Sequence, residues 1–182
     1  MTEPERATRA DIDRRYVLKR MIWFGTAAFA FAFALPALAL KTLTQQQEHI
    51  AGGEPLVYAT GEHVGDAVNA ADIPVRGVIQ AFPQGKSDDE DNLVELVRLS
   101  EDATGLVAYS AICTHLGCTV LAQLTDKGFI PCPCHGSLFD PANGAKPVGG
   151  PANRPLPSLP ITVNADGAVA ATGTFSGPVG PQ

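Results

Sequence analysis

CTHLGCTVLAQLTDKGFIPCPCHGS, residues 113–137, holds all four cysteines of the 182-residue chain and two of its four histidines. The stretch divides into two boxes, CTHLGC (113–118) and CPCHGS (132–137), each mixing cysteine with histidine. Metal ligands must converge on one small volume. A C-x-H pattern followed after sixteen residues by C-x-x-H suits two loops that face each other across a site. Three readings are open at this point. A structural zinc site of two cysteines and two histidines is chemically sound, although zinc sites usually bring a C-x-x-C pair rather than a mixed pair in each box. A domain of four paired cysteines would leave both histidines idle. A two-iron, two-sulfide centre in which histidines replace cysteines on one iron uses both residue types, and the order and spacing of the boxes favour it.

Upstream of the boxes the chain changes character. From Met21 to Leu40 the sequence MIWFGTAAFAFAFALPALAL runs twenty residues without a charge, with Arg14, Arg15, Lys19 and Arg20 before it and Lys41 after it. At about 1.5 Å per residue an unbroken helix would extend roughly 30 Å, the thickness of a bilayer's hydrocarbon core. An apolar helix without a polar face is hard to place in a small soluble domain. A transmembrane anchor is therefore expected at 21–40, with the basic tail 1–20 in the cytoplasm and the remainder outside. Within the tail, DRRYVLK (13–19) resembles a twin-arginine export signal. The apolar run exceeds the usual signal-peptide core of about 7–15 residues, so the anchor is expected to be retained. Residues 41–55, KTLTQQQEHIAGGEP, are polar and without apolar period, and read as a flexible linker.

Beyond the linker come short β-rich runs between turn residues: LVYAT (56–60), VRGVIQAF (75–82), LVELVRL (93–99), GLVAYSAI (105–112), LPITV (159–163) and GAVAAT (167–172). NADG between the last two is a hairpin turn signal. The acidic run SDDEDN (87–92) reads as a solvated loop, and His49 and His63 as exposed bystanders. Residues 1–20 carry six Lys/Arg against four Asp/Glu, and the rest seven against fifteen, so the tail is net +2 and the remainder net −8. An acidic body argues against nucleic acid as a partner.

CTHLGC and CPCHGS resemble the two cluster-binding boxes of Rieske iron–sulfur subunits of cytochrome bc-type quinol-oxidising complexes. The likeness extends over most of the chain, since VGGPANRPLP (148–157) resembles the family's proline-rich loop over the cluster. It implies an all-β, Rieske-type antiparallel domain over 56–182 with a cluster-binding subdomain of two loops, preceded by one N-terminal transmembrane helix. It places the protein in a bacterial cytoplasmic membrane as a single-pass protein, with the head on the periplasmic side. It implies a [2Fe-2S] cluster held by Cys113, His115, Cys132 and His135, and a disulfide between Cys118 and Cys134, which can persist outside the cytoplasm.

What this ligation does follows from charge counting. Two ferric ions and two sulfides sum to +2, and four thiolates would bring that to −2, but two thiolates and two neutral imidazoles bring it to 0. A neutral centre takes an electron more readily, in line with the range of about −150 to +300 mV for such centres against about −400 mV for plant-type ferredoxins. The resemblance implies one-electron, proton-coupled oxidation of a membrane quinol at His135, with His115 beside it at the tip. The electron then passes to a c-type cytochrome while a cytochrome b partner takes the second. The linker would let the head move between them. Ser137 matches a family serine directed at the cluster, and Leu116 an apolar cover beside it. Phe139 stands where many members carry a tyrosine whose hydroxyl reaches a ligand sulfur, which implies a lower potential and menaquinol rather than ubiquinol. The small subunit of an arsenite oxidase is the alternative setting for the same centre, and soluble Rieske ferredoxins lack both the anchor and the extra cysteine pair.

Overall fold

The computed structural model describes residues 52–102 and 105–182, and the tail, the apolar run and the linker as far as residue 51 lie outside the described residues. The run 93–99 forms β3 (Val94–Arg98), every residue of which is buried. A strand turns successive side chains to opposite faces, so a strand buried throughout separates two cores. Val94 and Leu96 enter one core, while Val97 and its predecessor Leu93 enter the other. Around β3 lie β2 (Val78–Pro83) and β4 (Leu106–Ser110), with β1 (Leu56–Tyr58) outside β2, in one antiparallel sheet ordered β1-β2-β3-β4. β4 repeats the division: Leu106 and Ala108 face the first core, Tyr109 and Ala111 the second.

The first core is closed by a hairpin of β8 (Ile161–Val163) and β9 (Val169–Ala171), turned by NADG as expected. Gly167 takes φ 86° there and its N–H donates to Asn164 O at 3.0 Å. The chain entering β8 bonds to β4 (Leu159 N–H to Ala108 O, 2.9 Å), and β9 bonds to the chain before β1 (Ala171 N–H to Glu54 O, 2.9 Å). The hairpin thus reaches both edges of the sheet and encloses Leu56, Val68, Leu96, Leu159 and Val169.

A second antiparallel sheet, ordered β5-β6-β7, comprises β5 (Ile130–Pro131), β6 (Leu138–Asp140) and β7 (Lys146–Gly149). None of the three is evident from sequence. They are two to four residues long, include Pro131 and Pro147, and show no readable alternation. Ile130 and Phe139, which are register partners, pack with Leu156 in the second core, on the far face of β3 and β4. Tyr109 Oη donates to Pro141 O at 2.8 Å and ties β4 to the turn after β6.

The run VRGVIQAF becomes a strand only from Val78, because Arg76 adopts φ 65° and Gly77 N–H closes a turn onto Pro74 O at 2.7 Å. In the acidic run, residues 87–91 are exposed as expected, but Asn92 is buried and its Nδ2 donates to Lys86 O at 3.3 Å. Among the described residues no helix is long and apolar enough to cross a membrane.

Candidate metal centre

The two boxes fold as the same turn. In the first, Cys113 N–H donates to Cys118 O (2.8 Å) and Gly117 N–H to Cys113 O (3.0 Å). In the second, Cys132 N–H donates to Ser137 O (2.8 Å) and Gly136 N–H to Cys132 O (3.2 Å). The fifth position of each box must take φ > 0, and glycine occupies both, at 81° for Gly117 and 72° for Gly136. A short neck closes each loop: the bridge between Ile112 and Thr119 for the first, the pairing of Pro131 with Leu138 for the second.

This geometry sorts the six cysteines and histidines. A disulfide joins Cys118 to Cys134 across the loops. Cys113 and Cys132 remain as free thiols, 1% and 3% exposed, within hydrogen-bonding reach of one another. The His115 and His135 rings meet edge to face, with centroids 4.8 Å apart and planes at 83°. His135 is exposed, whereas His115 is half-buried and its Nδ1 is shut from solvent without a hydrogen-bond partner. A buried polar atom left unpaired in a native fold asks for a missing partner.

The electrostatics of the thiol pair point the same way. Burial pushes the Cys113 thiol above its ordinary value; the backbone N–H of His115 and the Ser137 hydroxyl pull against it, and the adjacent Cys132 adds to the rise. A bound metal reverses this balance by holding the sulfur as thiolate. Among the described residues no three His, Cys, Asp or Glu side chains gather to hold one ion. The donors are instead arranged as two like pairs. A tetrahedral zinc ion needs four donors around one point, whereas a binuclear cluster with bridging sulfides takes one pair on each metal. The residues present fit a [2Fe-2S] cluster, with thiols on the inner side and imidazoles on the outer.

The loop 148–157 packs against both boxes. A Cβ on Gly150 would stand 2.4 Å from Ser137 Cα and 2.6 Å from Gly136 O, so only glycine lets the loop approach this closely. Ala152 N–H donates to Ser137 Oγ at 3.1 Å, which leaves the serine's own proton free to face sulfur. Thr114 Oγ1 donates to Arg154 O at 2.8 Å. Thr114, Gly150 and Arg154 were not singled out from the sequence, where a threonine between two ligand types and a glycine in a Gly/Pro run carry no distinguishing signal.

Phe139 is fully buried in the core that contains both free thiols. Leu116 is 62% exposed at the tip beside His115, which excludes a core role. His63 is exposed, with its Nδ1 3.4 Å from Asp66 Oδ2 and its ring against that of Tyr58.

Residues 69–160 match the family described as the Rieske [2Fe-2S] domain. A relative from Haloferax mediterranei, named as a respiratory nitrate reductase Rieske subunit, is 36% identical over 96% of this chain and 83% of its own. The cytochrome bc1 complex Rieske iron–sulfur subunit of Streptomyces lividans is 37% identical over 64% of this chain and 79% of its own. The crystal structure of a plasma-membrane Rieske protein from Synechocystis is 27% identical with a TM-score of 0.45, covering 57% of this chain and 94% of that one. With a matching domain over half its length and a relative that spans nearly all of it, the chain belongs to the Rieske [2Fe-2S] family, and its cofactor is the family's [2Fe-2S] cluster.

Proposed function

We propose that the chain is the iron–sulfur electron-transfer subunit of a membrane quinol-oxidising complex of the cytochrome bc type. The observation that carries this reading is the inside-out order of the two donor pairs: thiols sealed in the second core, imidazoles at a tip that ends in exposed His135 and Leu116. In it, Cys113 and Cys132 hold one iron, and His115 and His135 the other. When bound, the cluster supplies a one-electron acceptor within the potential range of Rieske centres.

The protein's own residues do the rest. His115 turns Nδ1 inward, so its Nε2 is the nitrogen left for a proton. His135, exposed, presents its outer ring nitrogen to a quinol hydroxyl and receives the proton there. The disulfide keeps the two rings in register by tying their loops, and Leu116 offers the quinol ring an apolar contact. Phe139 withholds a hydrogen bond from the sulfurs, so the substrate is menaquinol in preference to ubiquinol. Cytochrome b and a c-type cytochrome are the partners, by analogy with the relative named as a bc1 complex subunit. Residues 1–20 are the cytoplasmic tail, 21–40 the anchor in the lipid bilayer, 41–55 the hinge and 56–182 the head outside the cytoplasmic membrane.

Purification of the full chain from its native membrane tests the reading. Haem b and haem c are expected to accompany it, quinol is expected to reduce it, and Cys113→Ser, Cys132→Ser, His115→Ala and His135→Ala each to abolish the cluster's electron paramagnetic resonance. A chain that carries zinc, or one that quinol cannot reduce, would sink it. A second reading, a Rieske subunit of a respiratory nitrate reductase, is favoured by the relative that aligns over 96% of the chain. Co-purification with nitrate-reducing activity and without haem c would select that setting.

A further inference from the structure

The C-terminal segment GPVGPQ (177–182) is left without a task by the reading above, yet it lies against the first box. Gly180 is buried, and a Cβ built on it would stand 3.5 Å from Ile112 Cγ2, at the neck of the loop. One residue on, Pro181 Cδ lies 3.5 Å from where a Cβ on Gly117 would be. The segment therefore runs past both ends of the loop 113–118. Arg154 fastens it there: Nη2 donates to Gly180 O at 2.6 Å and Nη1 to Pro178 O at 3.4 Å. The same residue's backbone carbonyl accepts the Thr114 hydroxyl at 2.8 Å.

We infer that residues 178–181 and Arg154 form a strap that positions the first box, and through it the His115 ring, as a second restraint beside the disulfide. The disulfide holds the loop at Cys118, its last residue, and leaves the side that carries Thr114 and His115 to be held otherwise. The strap holds that side at Thr114 and at Ile112 below it, and meets the disulfide-held side at Gly117. Guanidinium donors suit the task, because charge-assisted hydrogen bonds are about twice as strong as neutral ones. Glycine at 180 suits the φ of 70° that the segment takes beside Ile112. Arg154 is thus a positioning residue, and its bearing on the cluster rests on the reading of His115 as a ligand.

The test uses the full chain with its cluster, in three forms: truncation after Gly177, Arg154→Ala, and both together. Each single change is expected to speed amide hydrogen exchange at 113–118 by about tenfold, the effect of losing one such bond. The double change is expected to add nothing, because both act on one restraint. The resonance line shape and midpoint potential are expected to move together with exchange, with partial recovery in Arg154→Lys, which can reach one carbonyl but not two. Unchanged exchange at 113–118, additive effects, or faster exchange with an unaltered line shape would each overturn the strap. Should the truncated chain fail to fold, Arg154→Ala leaves the backbone complete and reads the same quantities. An unaltered resonance in His115→Ala would instead sink the ligand assignment and leave the exchange result standing.

Discussion

Phe139 sits with no exposed surface among Ile130, Leu156 and the two free thiols. A hydroxyl added to it would enter surroundings where an unpaired donor is costly and sulfur is an available acceptor. One hydrogen bond of about 1 kcal/mol corresponds to roughly 40 mV for a one-electron centre. Phe139→Tyr is therefore expected to raise the midpoint potential by about 40 mV, read by redox titration; no change or a fall would remove this residue from the tuning of the centre. Glu95 presents a different case. It lies on β3 between Leu93 and Val97, is fully buried, accepts Gln80 Nε2 at 3.0 Å through Oε2, and leaves Oε1 without a partner. Burial pushes its carboxyl up to about 8 from an ordinary value of 4.5, and the Gln80 bond only partly opposes this. The folded protein thus binds this proton more tightly than the unfolded chain. The contribution is full below about 4.5 and is lost as pH rises to about 8, an effect on the order of 4 kcal/mol. Denaturant titrations from pH 5 to 8 are expected to show stability falling in the parent and a much flatter profile in Glu95→Gln. Parallel profiles would mean that Glu95 is ionised in the fold.

At the scale of elements, the strands rich in β-branched and apolar residues between turn signals were legible and the rest were not. LVELVRL and GLVAYSAI carry enough β-branched and apolar residues to be read as strands, and they form β3 and β4. β5, β6 and β7 exist because they frame a loop whose ends must meet, a requirement set by closure rather than by propensity. The loop 148–157 was placed over the site by its resemblance to the family's proline-rich loop, which says nothing of its contacts. Gly150 is the sharpest of these: with φ 77° and a Cβ position inside Ser137, it admits no side chain. Gly150→Ala is expected to cost at least about 2 kcal/mol, seen as a lower thermal midpoint, and to weaken cluster retention against a chelator. Loss of stability with the cluster held as firmly as before would show that the loop supports the fold and not the site.

At the scale of the whole molecule, the proposed anchor and linker make a prediction of their own. The chain is expected to stay with membranes through an alkaline wash, and limited proteolysis between 41 and 55 to release a soluble, cluster-bearing head. Release by the wash alone would remove the anchor. Residue chemistry and spacing alone pointed to a metal centre with mixed cysteine and histidine donors and to the β character of the head, and the family resemblance of the two boxes implied the [2Fe-2S] cluster, because donor chemistry is a property of side chains and strand propensity a property of neighbours. Only the tertiary structure decided that like donors stand together, that thiols lie inside and imidazoles outside, that Glu95 is buried, and that Arg154 joins the C-terminal segment to the first box. Those facts depend on packing between segments far apart in the chain, such as Ile112 and Gly180, and no local pattern records which distant surfaces will meet.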